Sequence, residues 1–148
     1  MVERTLIIIK PDGVQRRLVG VIIARFEKKG LKIAAAKLMK ITPQLAKKLY
    51  AIHKDKDFFD RLVKYITSGT VLVMVLEGEK TIEITRKMMG ATFGYDALPG
   101  TIRGDLSTSQ TRNLVHGSDS AKSAQKEISL FFKPGEILNY KMTDENWL

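Results

Sequence analysis

Apolar positions along the chain fall into blocks that alternate between two periods. Thr5-Leu6-Ile7-Ile8-Ile9 is a continuous apolar and β-branched run between Arg4 and Lys10, which predicts a buried strand over Arg4 to Lys10. Lys10-Pro11-Asp12-Gly13 is a turn signature that closes it. From Leu18 to Lys29 the period changes: Val19, Ile22, Ile23 and Phe26 make the stripe of a helix, and Gly30 ends it. Leu31 to Ile41 reads as a second strand. Thr42-Pro43 supplies an N-cap and a first-turn proline for a helix through Ala46, Leu49 and Tyr50 to about His53. After the charged segment Lys54 to Asp57, Phe58-Phe59 begins another helix with Leu62, Val63 and Ile66 inward. Two adjacent phenylalanines cannot both face inward on one helix, which leaves one free to stack on something flat.

Val71 to Leu76 predicts a third strand, ended by Glu77-Gly78, and Thr81 to Met89 a helix stopped by Gly90. In that helix Ile82, Ile84, Met88 and Met89 are apolar, with Arg86 on a different face. Ala91 to Arg112 has no clear period; a stretch this long in a small domain points to function. Leu114 to His116 reads as a fourth strand. A last helix from about Ser120 to Phe132 has Ala121, Ala124, Ile128 and Phe131 or Phe132 inward, with Glu127 beside that stripe. The tail from Lys133 is irregular, and Trp147 near its end suggests docking on a neighbouring surface. The order is strand, helix, strand, helical pair, strand, helix, strand, helix. It predicts an α+β fold, a ferredoxin-like sandwich with helices packed on one four-stranded antiparallel sheet.

Composition narrows this picture. A chain of 148 residues with 44% hydrophobic content suits one domain spanning 1–148, with a real core. With no cysteine, disulfides and thiolate metal sites are excluded, which fits a reducing, cytoplasmic setting. The only early apolar run is Leu6 to Ile9, unlike a signal peptide, and no stretch nears the ~20 apolar residues of a membrane span. The net charge of +9 invites an anionic partner, although Lys28, Lys29, Lys47 and Lys48 fall on expected solvent faces.

Candidate chemistry centres on Asn113-Leu114-Val115-His116-Gly117-Ser118-Asp119-Ser120. A strand end, a tight turn and a helix N-terminus read this way, putting His116 on a rigid edge. The chain has only two histidines, and an imidazole can attack phosphorus near neutral pH. A lone histidine beside an apolar run is more often structural. The balance shifts because Lys10 closes a strand, and Thr92, Thr101 and Arg103, all able to bond phosphate oxygens, sit in the aperiodic stretch.

These blocks together resemble the nucleoside diphosphate kinase family over essentially the whole chain. The resemblance runs from Glu3-Arg4-Thr5 through Lys10-Pro11-Asp12-Gly13-Val14 and Pro99-Gly100-Thr101-Ile102-Arg103-Gly104-Asp105. It continues through the histidine octet to Lys126-Glu127-Ile128. It implies γ-phosphate transfer from a nucleoside triphosphate to a nucleoside diphosphate through a phosphohistidine at His116, the two nucleotides using one pocket in turn. Glu127 would hold the second ring nitrogen, and Ser118 would help place that carboxylate. Lys10, Arg86 and Arg103 would supply positive charge, Thr92 a hydroxyl and His53 a phosphate contact, with Tyr50 close to Lys10 and the histidine. Asn113 and Lys10 would hold the sugar 3′-hydroxyl, and the base would stack on Phe58 and pack on Leu62. Stacking explains low base specificity, because every base offers a flat face.

Magnesium is the implied cofactor, bridging phosphate oxygens, with Asp119 reaching it through water. No G-x-x-x-x-G-K-[ST] loop is present. The family usually forms hexamers, with some bacterial tetramers, and a homo-hexamer is expected here. The chain departs from the family pattern at Phe93-Gly94, where Asn-Pro is common, at Gln110, where a small aliphatic is usual, and at Asp57, which replaces a frequent proline. It also ends soon after Trp147, without the longer tail of many relatives. Two other readings compete: a nucleic-acid-binding module on the same fold, which the charge permits, and an inactive relative kept for interactions. The first does not explain why Lys10, Arg86, Arg103, His116 and Glu127 suit one phosphate site. The second predicts a lost histidine, lysine or arginine, and none is lost.

Overall fold

A computed structural model describes residues 1–148. Four strands, β1 (Val2–Ile9), β2 (Lys32–Lys40), β3 (Thr70–Glu79) and β4 (Val115–Gly117), form one sheet in the order β2-β3-β1-β4. Every neighbouring pair is antiparallel. Seven α-helices surround the sheet: α1 (Pro11–Gln15), α2 (Val19–Lys28), α3 (Pro43–Leu49), α4 (Phe59–Ile66), α5 (Thr81–Met89), α6 (Ile102–Leu106) and α7 (Ala121–Phe131). This is the ferredoxin-like α+β sandwich expected from the element order, and no helix is long and apolar enough to cross a membrane.

The run Leu6-Ile7-Ile8-Ile9 is apolar at every position because both faces of β1 are covered. Side chains alternate across a strand, so Leu6 and Ile8 enter one core with Ala46, Leu49, Ile66 and Phe131 from α3, α4 and α7 and with Tyr50, which caps α3. Ile7 and Ile9 enter the opposite core with Ile22, Phe26, Met89 and Ile102 from α2, α5 and α6. Phe26 and Ile22 are fully buried, each worth roughly 1.5–3 kcal/mol by area.

Element boundaries shift where pairing overrides composition. β1 starts at Val2 because Val2 and Glu3 pair with Glu79 and Gly78, which also carries β3 past the expected stop at Glu77-Gly78. Pro11-Asp12-Gly13 forms a short helix instead of a bare turn. The aperiodic stretch 91–112 contains α6, whose five residues are too few to show a period. On α7, Ala121 is exposed instead of inward, and Glu127 lies in the buried stripe with Ala124 and Phe131. Phe59 packs against the core while Phe58 stays partly exposed, as the tandem phenylalanines require. Trp147 is 87% exposed, and it is Leu148 that lies against Gly30.

Candidate functional site

Three elements converge above the β1–β4 edge of the sheet. His116, the middle residue of β4, pairs with Ile8 and projects from a strand registered by the most buried part of the chain. Its Nε2 lies 2.5 Å from Glu127 Oε1 on α7. A carboxylate accepts and cannot donate, so Nε2 carries the proton and Nδ1 keeps its lone pair. The same Oε1 accepts from Ser118 Oγ at 3.3 Å, while Ser118 Oγ accepts from the Leu6 backbone N–H at 3.3 Å. Burying Glu127 in the α7 stripe, the position sequence periodicity placed beside it, is what brings its carboxylate to the histidine.

Positive charge lines the other side. Lys10, only 5% exposed at the end of β1, donates to Asn113 Oδ1 at 2.8 Å. Burial, reinforced by the Arg103 charge and opposed by Asp12, lowers its pKa to about 7. Arg103, on α6, donates through Nε to Asn113 O at 3.0 Å, through Nη1 to Gly90 O at 3.0 Å and through Nη2 to Val115 O at 2.7 Å. Burial, then the neighbouring Arg86 charge, lowers its pKa to about 10. Asn113 Nδ2 donates to Thr92 O at 3.0 Å, so one amide links Lys10 to the 91–112 stretch. Tyr50 packs edge-on to the His116 ring at 6.3 Å, and its buried hydroxyl has no partner within the chain. Burial, then Glu127, raises the Tyr50 pKa, which keeps that hydroxyl a donor.

All of this opens onto a cavity of about 730 Å³. Of the residues singled out from sequence, Lys10, Tyr50, His53, Phe58, Leu62, Arg86, Thr92, Arg103, Asn113, His116, Asp119 and Glu127 line it. Ser118 sits behind Glu127 instead. Thr101 lies outside the cavity and caps α6, accepting from Gly104 N at 2.9 Å. Phe58 and His53 face each other at the mouth with ring centroids 5.3 Å apart. The Asp119 carboxyl is held below its usual range by hydrogen bonds from Ser123 and then Ser120, with Arg86 adding to the effect.

Sequence reasoning missed several residues that the cavity also gathers: Lys48, Arg61, Tyr65, Arg112, Lys122 and Lys126. Lys122 and Lys126 carried a signal, the four-residue spacing that puts two side chains on one helix face. Arg61 and Tyr65 are spaced alike on α4, beside the inward stripe expected from Leu62, Val63 and Ile66. An imidazole with one nitrogen anchored and the other free, beside a cationic wall and a flat aromatic mouth, can attack an electrophilic centre in an anionic ligand that carries a planar group.

Comparison with known proteins points the same way. The family model described as nucleoside diphosphate kinase matches residues 3–137. A nucleoside diphosphate kinase of Thermus thermophilus is 58% identical over 136 residues, covering 92% of this chain and 99% of the relative. Another, from Archaeoglobus fulgidus, is 53% identical over 146 residues, covering 99% and 97%. Among solved structures, a halophilic nucleoside diphosphate kinase from Halobacterium salinarum in complex with CDP superposes with a TM-score of 0.97 at 47% identity, covering 99% of this chain and 98% of that one. A transition-state mimic of the enzyme from Borrelia burgdorferi, with bound vanadate and ADP, superposes at 0.92 with 40% identity, covering 97% and 95%.

Proposed function

This chain belongs to the nucleoside diphosphate kinase family, and from that premise we propose that it is a ping-pong phosphotransferase working through a phosphohistidine at His116. The observation that carries the reading is the His116–Glu127 contact, which commits Nε2 and leaves Nδ1 free inside a cationic cavity. In the first half-reaction Nδ1 attacks the γ-phosphorus of a nucleoside triphosphate. The bond from γ-phosphorus to the bridging oxygen breaks, and the diphosphate leaves with that electron pair. Glu127 accepts from the Nε2 proton throughout, stabilising the positive charge that develops on the ring. A second nucleoside diphosphate then takes the phosphoryl group by the reverse step.

Phosphoryl transfer demands mainly positioning and charge stabilisation. Arg86 and Arg103 supply positive charge, joined by Lys10 once a phosphate pairs its ammonium, with Thr92 and His53 as further phosphate contacts and Tyr50 an unspent hydroxyl. Asn113 and Lys10 hold the sugar, while Phe58 and Leu62 take the base by stacking and packing, without reading its edge. CDP and ADP bound to the two solved relatives support both the substrate class and the low base specificity.

Magnesium fits this donor set only through the substrate. No group of three or more histidine, cysteine or acidic side chains could cage a metal, and of the two cavity carboxylates Glu127 is already committed. Asp119, kept ionised by its serine partners, would hold the ion through water while nucleotide phosphates supply the rest. When bound, the metal would neutralise phosphate charge. The same reading makes residues 1–148 one catalytic domain, assembled as a cytoplasmic homo-hexamer. Apolar Leu38, exposed on the edge strand β2, supports an assembled state, and light scattering tests it.

The decisive experiment is intact mass after mixing the protein with ATP and magnesium, then with GDP. One added phosphate, mapped to His116 and discharged as GTP, is the expected result. Absence of any phosphorylated species would refute the mechanism. His116→Ala is expected to abolish the adduct while retaining the fold by circular dichroism.

A further inference from the structure

Leu114, fully buried and two residues before His116, sits at φ 69, in the left-handed region that a leucine avoids. The Val115 N–H donates to Asn113 O at 2.7 Å across it, closing a three-residue γ-turn. Such a conformation costs on the order of 1–3 kcal/mol and persists only when its surroundings over-determine it. Both main-chain polar groups of Leu114 are tied to one distant segment. Its N–H donates to Asp12 Oδ2 at 3.2 Å, and its carbonyl accepts from the Lys10 N–H at 2.8 Å. The other Asp12 oxygen accepts from the Tyr65 hydroxyl on α4. Tyr65 is a firm donor there, because burial and then Asp12 itself raise its pKa. Its ring also lies 5.1 Å from Lys10 Nζ and 4.8 Å from Arg112 Cζ.

We propose that Asp12 and Tyr65 are positioning residues for phosphoryl transfer, a brace that holds the strained turn at Leu114 and so fixes where His116 and Lys10 stand relative to each other. The inference rests on the phosphohistidine reading above. Asp12 does not line the cavity and touches no reacting atom; it acts through Leu114 and Tyr65. One carboxylate serves two donors from two different parts of the chain, one on each oxygen, so losing the Tyr65 bond leaves the carboxylate free to rotate away from Leu114. When the turn relaxes, His116 shifts with β4, a strand of only three residues paired to β1 alone.

The test uses two near-isosteric variants. Asp12→Asn leaves one oxygen for two donors, and Tyr65→Phe keeps the ring but removes the hydroxyl. Phosphoenzyme formation from ATP and magnesium is followed by rapid quench, wild type first. A wild type that forms no phosphoenzyme refutes the phosphohistidine reading itself, independently of the brace. With an active wild type, each variant is expected to form phosphoenzyme about 10- to 100-fold more slowly, the scale of a misplacement near 1 Å. The nucleotide KM is expected to stay within about threefold, because binding groups are intact. Acylation of His116 by diethyl pyrocarbonate, mapped by peptide mass, is expected to be unchanged, since that small reagent needs no alignment. The double variant is expected to be no slower than the slower single one by more than about threefold, as for a shared interaction. Rates within about twofold of wild type in both variants overturn the proposal, as does a KM that rises as much as kcat falls. Should Asp12→Asn fail to fold, Tyr65→Phe decides alone.

Discussion

Lys10 is a cation held where a cation is costly. Its pKa falls from 10.5 to about 7 on burial, so below pH 7 folded and unfolded chains both keep the proton and the fold carries the full penalty. Between the two values the unfolded chain binds the proton and the folded one does not, so stability rises with pH across that window. Lys10→Met is therefore expected to stabilise the nucleotide-free protein at pH 6 by about 1–3 kcal/mol, with the gap closing toward pH 10. Urea denaturation at the two pH values checks it, and a variant less stable than wild type at pH 6 refutes it. A bound diphosphate reverses the penalty by pairing the ammonium. ADP binding at pH 8 is accordingly expected to take up protons, measured by calorimetry in buffers of different ionisation enthalpy, and Lys10→Met to abolish most of that uptake. Arg103 makes the complementary case. Three of its five N–H donors are spent on main-chain carbonyls, which leaves two for a phosphate. Replacing it removes structure along with charge, so a slowed Arg103→Ala enzyme reports both.

At the scale of elements, α6 shows what the sequence could and could not convey. Five residues without a repeat leave no periodic signal, yet the helix is specified locally. Thr101 caps it through Gly104 N, and Gly90 approaches so closely that a Cβ there would lie 2.4 Å from Thr101 Oγ1, at a φ of 84. Thr101→Ala is expected to cost about 1 kcal/mol of stability, the usual worth of a cap, and to slow transfer by loosening Arg103. Denaturant midpoints with transfer rates check both; an unchanged rate would separate the cap from the site. The strands and longer helices were legible because each repeats its pattern over several turns or pairs. Glu127 was expected to reach the histidine but from beside the inner stripe, because a carboxylate within a buried stripe contradicts periodicity unless its histidine partner is known to be there. Asp12 stood in a turn and in a block that carries the resemblance, but its role was not visible, since its bonds reach Leu114, 102 positions away, and no local pattern encodes that.

For the molecule as a whole, the distribution of charge weighs against nucleic acid as the main partner. Eight of the 25 lysines and arginines and two of the 16 acids line the cavity around His116, so six of the nine net positive charges are gathered there. The rest of the surface is nearly balanced. A duplex needs a cationic stripe matching the spacing of its phosphates, whereas a concave cluster fits the compact charge of a nucleoside triphosphate and focuses its field there. Binding of duplex DNA at 0.15 M salt is therefore expected to be weak and to disappear when ADP fills the cavity, because both draw on the same charges. Fluorescence anisotropy with labelled duplex, titrated with ADP and with KCl, checks this. DNA affinity that ADP leaves untouched would assign it to a separate surface made by the remaining lysines. The nucleotide itself is expected to bind more weakly as KCl rises toward 1 M, where the screening length falls to about 3 Å. The loss is expected to be smaller for ADP than for ATP, because the third phosphate relies most on that concentrated charge.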